Sequence, residues 1–127
     1  MRIFITGASS GIGAEMAKIF AARGDTLGLV GRSEEKLAAV KALLAGTGHE
    51  TYAIDVTDRE AVYAAARDFE SKGAVDTVIA NAGISIGVKT EYAEDIDVLE
   101  RVYRTNVFAM AYTFQPFIEP MRRRGRG

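Results

Sequence analysis

Four short apolar segments, each followed by a segment with helical periodicity, place the strongest limit on how this chain can fold. The apolar segments are residues 2–6, TLGLVG at 26–31, ETYAIDV at 50–56 and AVDTVIA at 74–80. Strands this apolar have no face suited to water, and such strands belong to parallel sheets that helices cover on both sides. The alternation therefore predicts an α/β fold with a doubly wound parallel sheet.

The helical segments carry recognisable start and stop signals. Ser33 and Asp58 are predicted N-caps of the second and third helices, because their short polar side chains can accept a hydrogen bond from the first turn. Gly24, Gly46 and Gly73 are predicted to end the first three helices. The predicted core-facing positions are Ile12, Met16, Ile19 and Phe20 in the first helix, Leu37, Val40 and Leu44 in the second, and Val62, Ala66 and Phe69 in the third.

A longer helical pattern follows the fourth apolar segment, from about residue 99 to residue 117. The pattern runs through Val102, Asn106, Met110 and Phe114. Pro116 and Pro120 are expected to disturb the helix near its end, because proline lacks the backbone N–H that a helix interior uses.

A glycine-rich turn, TGASSGIG at residues 6–13, joins the first strand to the first helix. Gly7 is predicted to permit the tight turn, Gly11 to let the backbone approach a phosphate, and Gly13 to let the helix pack closely. A helix N-terminus carries unpaired N–H groups and a partial positive charge, which suit a pyrophosphate. The alternative is a plain loop, but the flanking strand and helix favour a dinucleotide-binding site.

The composition excludes several classes of function. The chain has 127 residues, a formal net charge of −1, and 16 basic residues of which four arginines lie in the last six positions. Without these four arginines the chain has 12 basic against 17 acidic residues, so an excess of positive charge exists only at the end, which argues against a nucleic-acid-binding face. No apolar run approaches the roughly 20 residues that span a membrane. The absence of cysteine excludes disulfides and thiolate metal ligands, so we expect a cytoplasmic protein without a metal site. The length is that of one domain, so we expect a single domain over 1–127. The lack of a long apolar run predicts no membrane partner.

Four short motifs in a fixed order identify a family. T-G-x-x-x-G-x-G at 6–13 is followed by DV at 55–56, NAG at 81–83 and TNV at 105–107. This set resembles the short-chain dehydrogenase/reductase family over essentially the whole chain. The resemblance implies a Rossmann-type doubly wound sheet and an oxidoreductase that transfers hydride between NAD(P) and a small-molecule carbonyl or alcohol substrate.

The resemblance also implies roles for individual residues. Ser9, Ser10 and Ile12 would contact the pyrophosphate and ribose. Asp55 would accept a hydrogen bond from the adenine amino group, and Val56 would supply a backbone contact. Beside the nicotinamide ribose would lie Asn81, Ala82 and Gly83. For Asp55 the residue type leaves another interpretation open, a turn residue at the strand end before Asp58.

Arg32 decides the predicted form of the cofactor. After the second strand, NAD-binding folds usually present a carboxylate to the ribose hydroxyls, but here Gly31 is followed by Arg32. A guanidinium matches a 2′-phosphate in charge and bidentate geometry, so NADP(H) is favoured over NAD(H). A solvated surface arginine is the alternative.

The family's catalytic residues are matched only in part. Asn106 matches the asparagine that the family uses in a water-linked proton path, although it could also be a polar residue on a buried helix face. No tyrosine has a lysine four residues later; Tyr63 with Arg67 is the nearest approach, and arginine cannot be tuned as a lysine can. The serine, tyrosine and lysine of the family pattern therefore have no match in this sequence.

The ending MRRRGRG at 121–127 leaves two interpretations of the chain open, a region of a longer enzyme or a complete binding module. It resembles the family's connection from the long helix into a fifth strand, so we expect a sheet truncated after the fourth strand and the following long helix. The alternative is a non-catalytic dinucleotide-binding or assembly module, complete as given. Without a fifth strand, VDTVIA would lie at a sheet edge beside apolar side chains, which predicts a homo-oligomer.

Overall fold

The computed structural model describes residues 1–127 and shows the predicted alternation of strands and helices. The elements are β1 (Arg2–Thr6), α1 (Gly11–Ala22), β2 (Thr26–Gly31), α2 (Glu34–Ala42), β3 (Glu50–Ala53), α3 (Arg59–Ser71), β4 (Thr77–Ala80), α4 (Ala93–Tyr103), a π-helical turn (Arg104–Phe108) and α5 (Ala109–Arg124). Both predicted N-caps are present, because Ser33 accepts from the N–H of Lys36 and Asp58 from that of Ala61. None of the helices combines the length and apolar composition that crossing a membrane requires.

The four strands form one parallel sheet in the order β3-β2-β1-β4. Ile3 lies beside Leu27 of β2 on one side and Thr77 of β4 on the other. The chain therefore builds outward from β1 in one direction and then crosses to its other side to form β4. This reversal opens a crevice at the carboxyl ends of β1 and β4, where ligands bind in open α/β sheets. β4 lies at an edge of the sheet, as predicted.

Alternate side chains of the strands point into two separate cores. Ile3 and Ile5 pack with α1 and α2, whereas Phe4 packs with α3 and α5. The rings of Phe4 and Phe117 lie 5.1 Å apart between centroids. Helices therefore cover both faces of the sheet, which confirms the doubly wound fold predicted from the apolar strands.

The buried face of α1 agrees with the predicted one only in part, since Met16 and Phe20 pack against the core but Ile12 and Ile19 do not. Ile12 and Ile19 are 74% and 60% exposed, while the face toward the sheet consists of Gly13, Ala14, Ala17 and Ala21. Small residues allow the helix axis to approach the sheet closely, so packing selects them over the larger apolar side chains.

The long helical segment also differs from its prediction. It begins at Ala93 rather than near residue 99, and it continues through both prolines to Arg124. Met110 and Phe114 are 45% and 39% exposed, whereas the buried positions of α5 are Ala109, Thr113 and Phe117. The π turn shifts the helix face by inserting extra backbone, so a stripe counted with one regular period fails across it.

The arginine-rich ending is predicted to be a connection, but the structure shows helix through Arg124. Gly125 then ends α5 in the left-handed conformation, with φ 67°. Arg124 is held in place because its guanidinium donates to Glu70 Oε1 and to the carbonyl of Val75, both at 2.6 Å. Part of this basic run is therefore integral to the fold.

Candidate functional site

A cleft of about 670 Å³ lies at the carboxyl ends of the strands. Its walls come from the turn after β1, the ends of β2 and β3, the segment after β4, and the region where α4 meets the π turn. The lining residues are Gly7, Ser9, Ser10, Ile12, Gly31, Arg32, Ile54, Asp55, Val56, Thr57, Asn81, Ala82, Gly83, Ile84, Ile86, Arg101, Arg104 and Thr105.

The cleft brings together most of the residues that the sequence predicts as a binding site. The predicted residues on its surface are Gly7, Ser9, Ser10, Ile12, Arg32, Asp55, Val56, Asn81, Ala82 and Gly83. Gly11, Gly13 and Asn106 do not line it. They act on its shape from the glycine-rich turn and the π turn. The cleft therefore gathers predicted residues from four separate segments of the sequence.

Two glycines of the turn, Gly7 and Gly13, are required by space, and Gly7 is required by conformation as well. Gly7 has a φ of 68°, and a Cβ there would lie 2.8 Å from the Cα of Ala82. A Cβ on Gly13 would collide with the carbonyl oxygen of Gly7. Gly11 has a φ of 54°, but a Cβ at this position would meet no atom within 4 Å, so its requirement is conformational.

The N-terminus of α1 has no side-chain cap, unlike those of the two helices that follow. Ser10 is the N-cap, yet its side chain makes no capping hydrogen bond, and the first turn of α1 contains no acidic residue. By contrast, α2 and α3 have side-chain caps and acidic first turns. The partial positive charge of α1 is therefore left available to an anion at the cleft.

Thr6 and Asn81 fasten the glycine-rich turn to the end of β4. The side-chain amide of Asn81 donates to the carbonyl oxygens of Thr6 at 3.1 Å and Gly7 at 3.2 Å. The Thr6 hydroxyl accepts from the backbone N–H groups of Asn81 and Ala82, each at 3.2 Å. Sequence reasoning missed Thr6, although its place just before the first glycine was the available signal.

Asp55 is both a cleft residue and a turn residue. Its Oδ1 accepts from the backbone N–H and the hydroxyl of Thr57, both at 2.8 Å. The N–H of Thr57 is the main cause that lowers the pKa of Asp55, and the positive charge of Arg32 adds to it. The turn interpretation left open by the sequence is thus correct for Oδ1, while Oδ2 makes no hydrogen bond to the protein.

Asn106 ties the π turn to the segment after β4. Its Oδ1 accepts from the backbone N–H of Ile84, and its Nδ2 donates to the carbonyl of the same residue, both at 2.8 Å. Gly83 is adjacent, since a Cβ there would lie 3.3 Å from Asn106 Oδ1. The side chain is therefore occupied in holding the cleft wall, and π turns of this kind are frequent at functional sites.

The cleft also contains residues that the sequence did not single out. Arg101 and Arg104 belong to its helical wall, and with Arg32 they place three guanidinium groups against the one carboxylate of Asp55. No tyrosine and no lysine line the cleft. No group of three or more His, Asp or Glu side chains is arranged to hold a metal ion.

These features define an α/β protein of the nucleotide-binding type. They are a parallel sheet with a glycine-rich first turn, a first helix without a side-chain cap, and a cleft where the strand order reverses. The chain belongs to the short-chain dehydrogenase family, whose family model matches residues 1–127. Members of this family are oxidoreductases that bind NAD(P).

Individual relatives agree with this membership. Dehydrogenase/reductase SDR family member 7B of Bos taurus is 36% identical over 98% of this chain and 41% of its own length. An uncharacterized oxidoreductase of Mycobacterium tuberculosis is 33% identical over 99% of this chain and 51% of its own length. The chain thus spans about half the length of the curated relatives that it matches.

Solved structures share the same fold. A metagenomic short-chain oxidoreductase, crystallised in complex with NADP, superposes with a TM-score of 0.90 and is 28% identical. The match covers 100% of this chain and 59% of that one.

Proposed function

We propose that this chain is the cofactor-binding region of an NADP(H)-dependent oxidoreductase that transfers hydride between the nicotinamide and a carbonyl or alcohol substrate. Family membership supports the reaction class, and the NADP complex of a similar structure supports the cofactor class. The observation that carries the proposal is the uncapped N-terminus of α1, which lies at a cleft with an excess of guanidinium groups.

The residues of the glycine-rich turn fit a pyrophosphate. Ser9, Ser10 and Ile12 line the cleft, and the side chain of Ser10 makes no capping hydrogen bond. Unpaired N–H groups in the first turn of α1 would donate to phosphate oxygens. When bound, the cofactor supplies the hydride or accepts it, and the residues of this chain hold it in place.

The end of β2 fits a 2′-phosphate better than a free ribose hydroxyl. Gly31 is buried, and a Cβ there would lie 3.0 Å from the Oγ of Ser9. A side chain at position 31 would therefore require the side chain of Ser9 to shift by a few tenths of an ångström, whereas the exposed Arg32 already lines the cleft. This arrangement supports a preference for NADP(H) over NAD(H).

The remaining roles are those that the family resemblance implies, and the positions in the cleft are compatible with them. Asp55 would accept from the adenine amino group through Oδ2, since Oδ1 is used by Thr57. Val56 would contact the adenine, and the nicotinamide ribose would lie beside the segment Asn81 to Gly83. Asn106 would shape that segment through Ile84.

Proton transfer to or from the substrate requires a group that these residues do not provide. The cleft has no tyrosine or lysine, so we expect the 127-residue chain to bind NADPH without turning it over. The same observation favours a second candidate function, a dinucleotide-binding module without catalysis. Turnover by the pure 127-residue chain would contradict the claim of an incomplete site, which both candidates share.

Arg32→Asp tests the cofactor preference. The change removes a phosphate partner and adds an acceptor for ribose hydroxyls, so NADPH affinity should fall about ten- to a hundredfold and NADH affinity should rise. Isothermal titration calorimetry would measure both. Arg67→Asp is the matched control, because Arg67 is exposed on α3 and does not line the cleft. An Arg32→Asp variant with the parent's NADPH affinity would show that Arg32 is only a surface residue.

A further inference from the structure

Two arginines on the helical wall of the cleft contribute to its positive charge but have no assigned contact with the cofactor in the function proposed above. Arg101 lies in the last turn of α4 and Arg104 begins the π turn. Both are exposed, both line the cleft, and neither forms an ion pair or a side-chain hydrogen bond in the structure. The glycine-rich turn and Arg32 also line this cleft, but they do not belong to the helical wall that holds Arg101 and Arg104.

Their spacing places two like charges on one side of the helix. Residues three apart are neighbours on a helix surface, and like charges there destabilise it. Asp97 and Glu100 lie four residues before Arg101 and Arg104, a spacing that allows ion pairs, yet neither carboxylate comes within 4 Å of these guanidinium groups. The two guanidinium groups therefore line the cleft without an ion pair to a carboxylate of their own helix.

The ligand that fits this wall is a phosphate. Guanidinium groups donate in pairs to phosphate oxygens, and two of them at adjacent helix positions can neutralise a doubly charged group. The single carboxylate of the cleft, Asp55, already has one oxygen occupied by Thr57, so it offsets little of this positive charge. A cleft with such an excess of one charge also attracts anions before contact.

We propose that Arg101 and Arg104 form a second phosphate-binding element of the cleft, which binds the phosphates of the dinucleotide from a different wall than the glycine-rich turn. This inference rests on the proposed function. A phosphate could also come from a separate phosphorylated ligand, and measurements with the dinucleotides and with inorganic pyrophosphate distinguish the two sources.

The test compares Arg101→Gln/Arg104→Gln with Arg67→Gln, which changes an exposed arginine outside the cleft. Calorimetry at low and at moderate salt would give Kd values for NADPH and NADH. We expect the double variant to weaken both dinucleotides about ten- to a hundredfold and to reduce the salt dependence of binding. The Arg67→Gln variant should match the parent, and Arg101→Lys/Arg104→Lys should recover part of the affinity.

Three other outcomes have separate meanings. A parent chain that binds neither dinucleotide would overturn the proposed function itself. A parent that binds both with a double variant of equal affinity would overturn this inference and leave the proposed function standing. If the parent saturated with NADPH still bound inorganic pyrophosphate, and the double variant did not, the phosphate would belong to a separate ligand and the cofactor role of the two arginines would be wrong.

Discussion

Arg124 provides the sharpest test of how the helical wall of the cleft is anchored, because α5 continues directly from the π turn and α4. Its guanidinium donates to Glu70 Oε1 and to the carbonyl of Val75, each at 2.6 Å. Glu70 in turn accepts from the N–H of Val75 at 2.8 Å. Arg124→Gln would shorten the side chain, remove the charge and break both of its hydrogen bonds.

The magnitude follows from the exposure of the pair. Side chains of Arg124 and Glu70 are 23% and 22% exposed, so water screens them much less than a surface pair. Each hydrogen bond to a charged group contributes roughly 1.5–3 kcal/mol. The Nε of Arg124 is buried without a partner, which offsets part of this gain. We therefore expect Arg124→Gln to lower the free energy of unfolding by about 2–3 kcal/mol.

Arg123→Gln is the matched control one residue earlier. Arg123 pairs with Glu119 at 2.9 Å, but its side chain is 76% exposed, so its loss should cost about 0.5 kcal/mol or less. Urea denaturation followed by circular dichroism would measure both variants, with an unchanged m-value showing that only stability has altered. Equal midpoints for the two variants would refute the claim that Arg124 is an internal anchor.

Two further predictions concern the glycine-rich turn and the exposed surface. Gly13→Ala should reduce the free energy of unfolding by about 1–3 kcal/mol and weaken NADPH binding, because the new Cβ collides with the carbonyl of Gly7. Gly11→Ala should cost only about 1–2 kcal/mol of stability. Urea denaturation that finds Gly13→Ala as stable as the parent would contradict this prediction. The open edge of β4 and the exposed side chains of Phe108 and Ile118 should cause self-association. Sedimentation that finds only a monomer at high micromolar concentration would show this prediction to be wrong.

Local signals in the sequence were sufficient for the architecture. Ser33 and Asp58 marked helix starts because capping depends on a side chain and its own first turn. The strands were recognisable because helices pack on both of their faces. The cleft followed from topology, since the carboxyl ends of parallel strands meet at one edge of the sheet.

Features that depend on packing between elements could not be predicted in the same way. Periodicity ranked Ile12 and Ile19 above alanine, but the close approach of α1 to the sheet buries Ala14 and Ala17 instead. No sequence pattern indicates the π turn. Arg101 and Arg104 are far in sequence from the glycine-rich turn, Arg32 and Asp55, and the position of the long helix brings them to the same cleft.

The most direct test of the proposed cofactor site is a titration of the isotope-labelled chain with NADPH, followed by two-dimensional ¹H–¹⁵N NMR. We predict that backbone amide shifts will change mainly in the glycine-rich turn, at Arg32, and in the segments after β3 and β4 that line the cleft. The largest changes are expected at Gly11, Ile12 and Gly13, whose N–H groups open α1. No change at these three amides at saturating NADPH, or changes confined to the groove between β4 and Phe117, would contradict the proposed site.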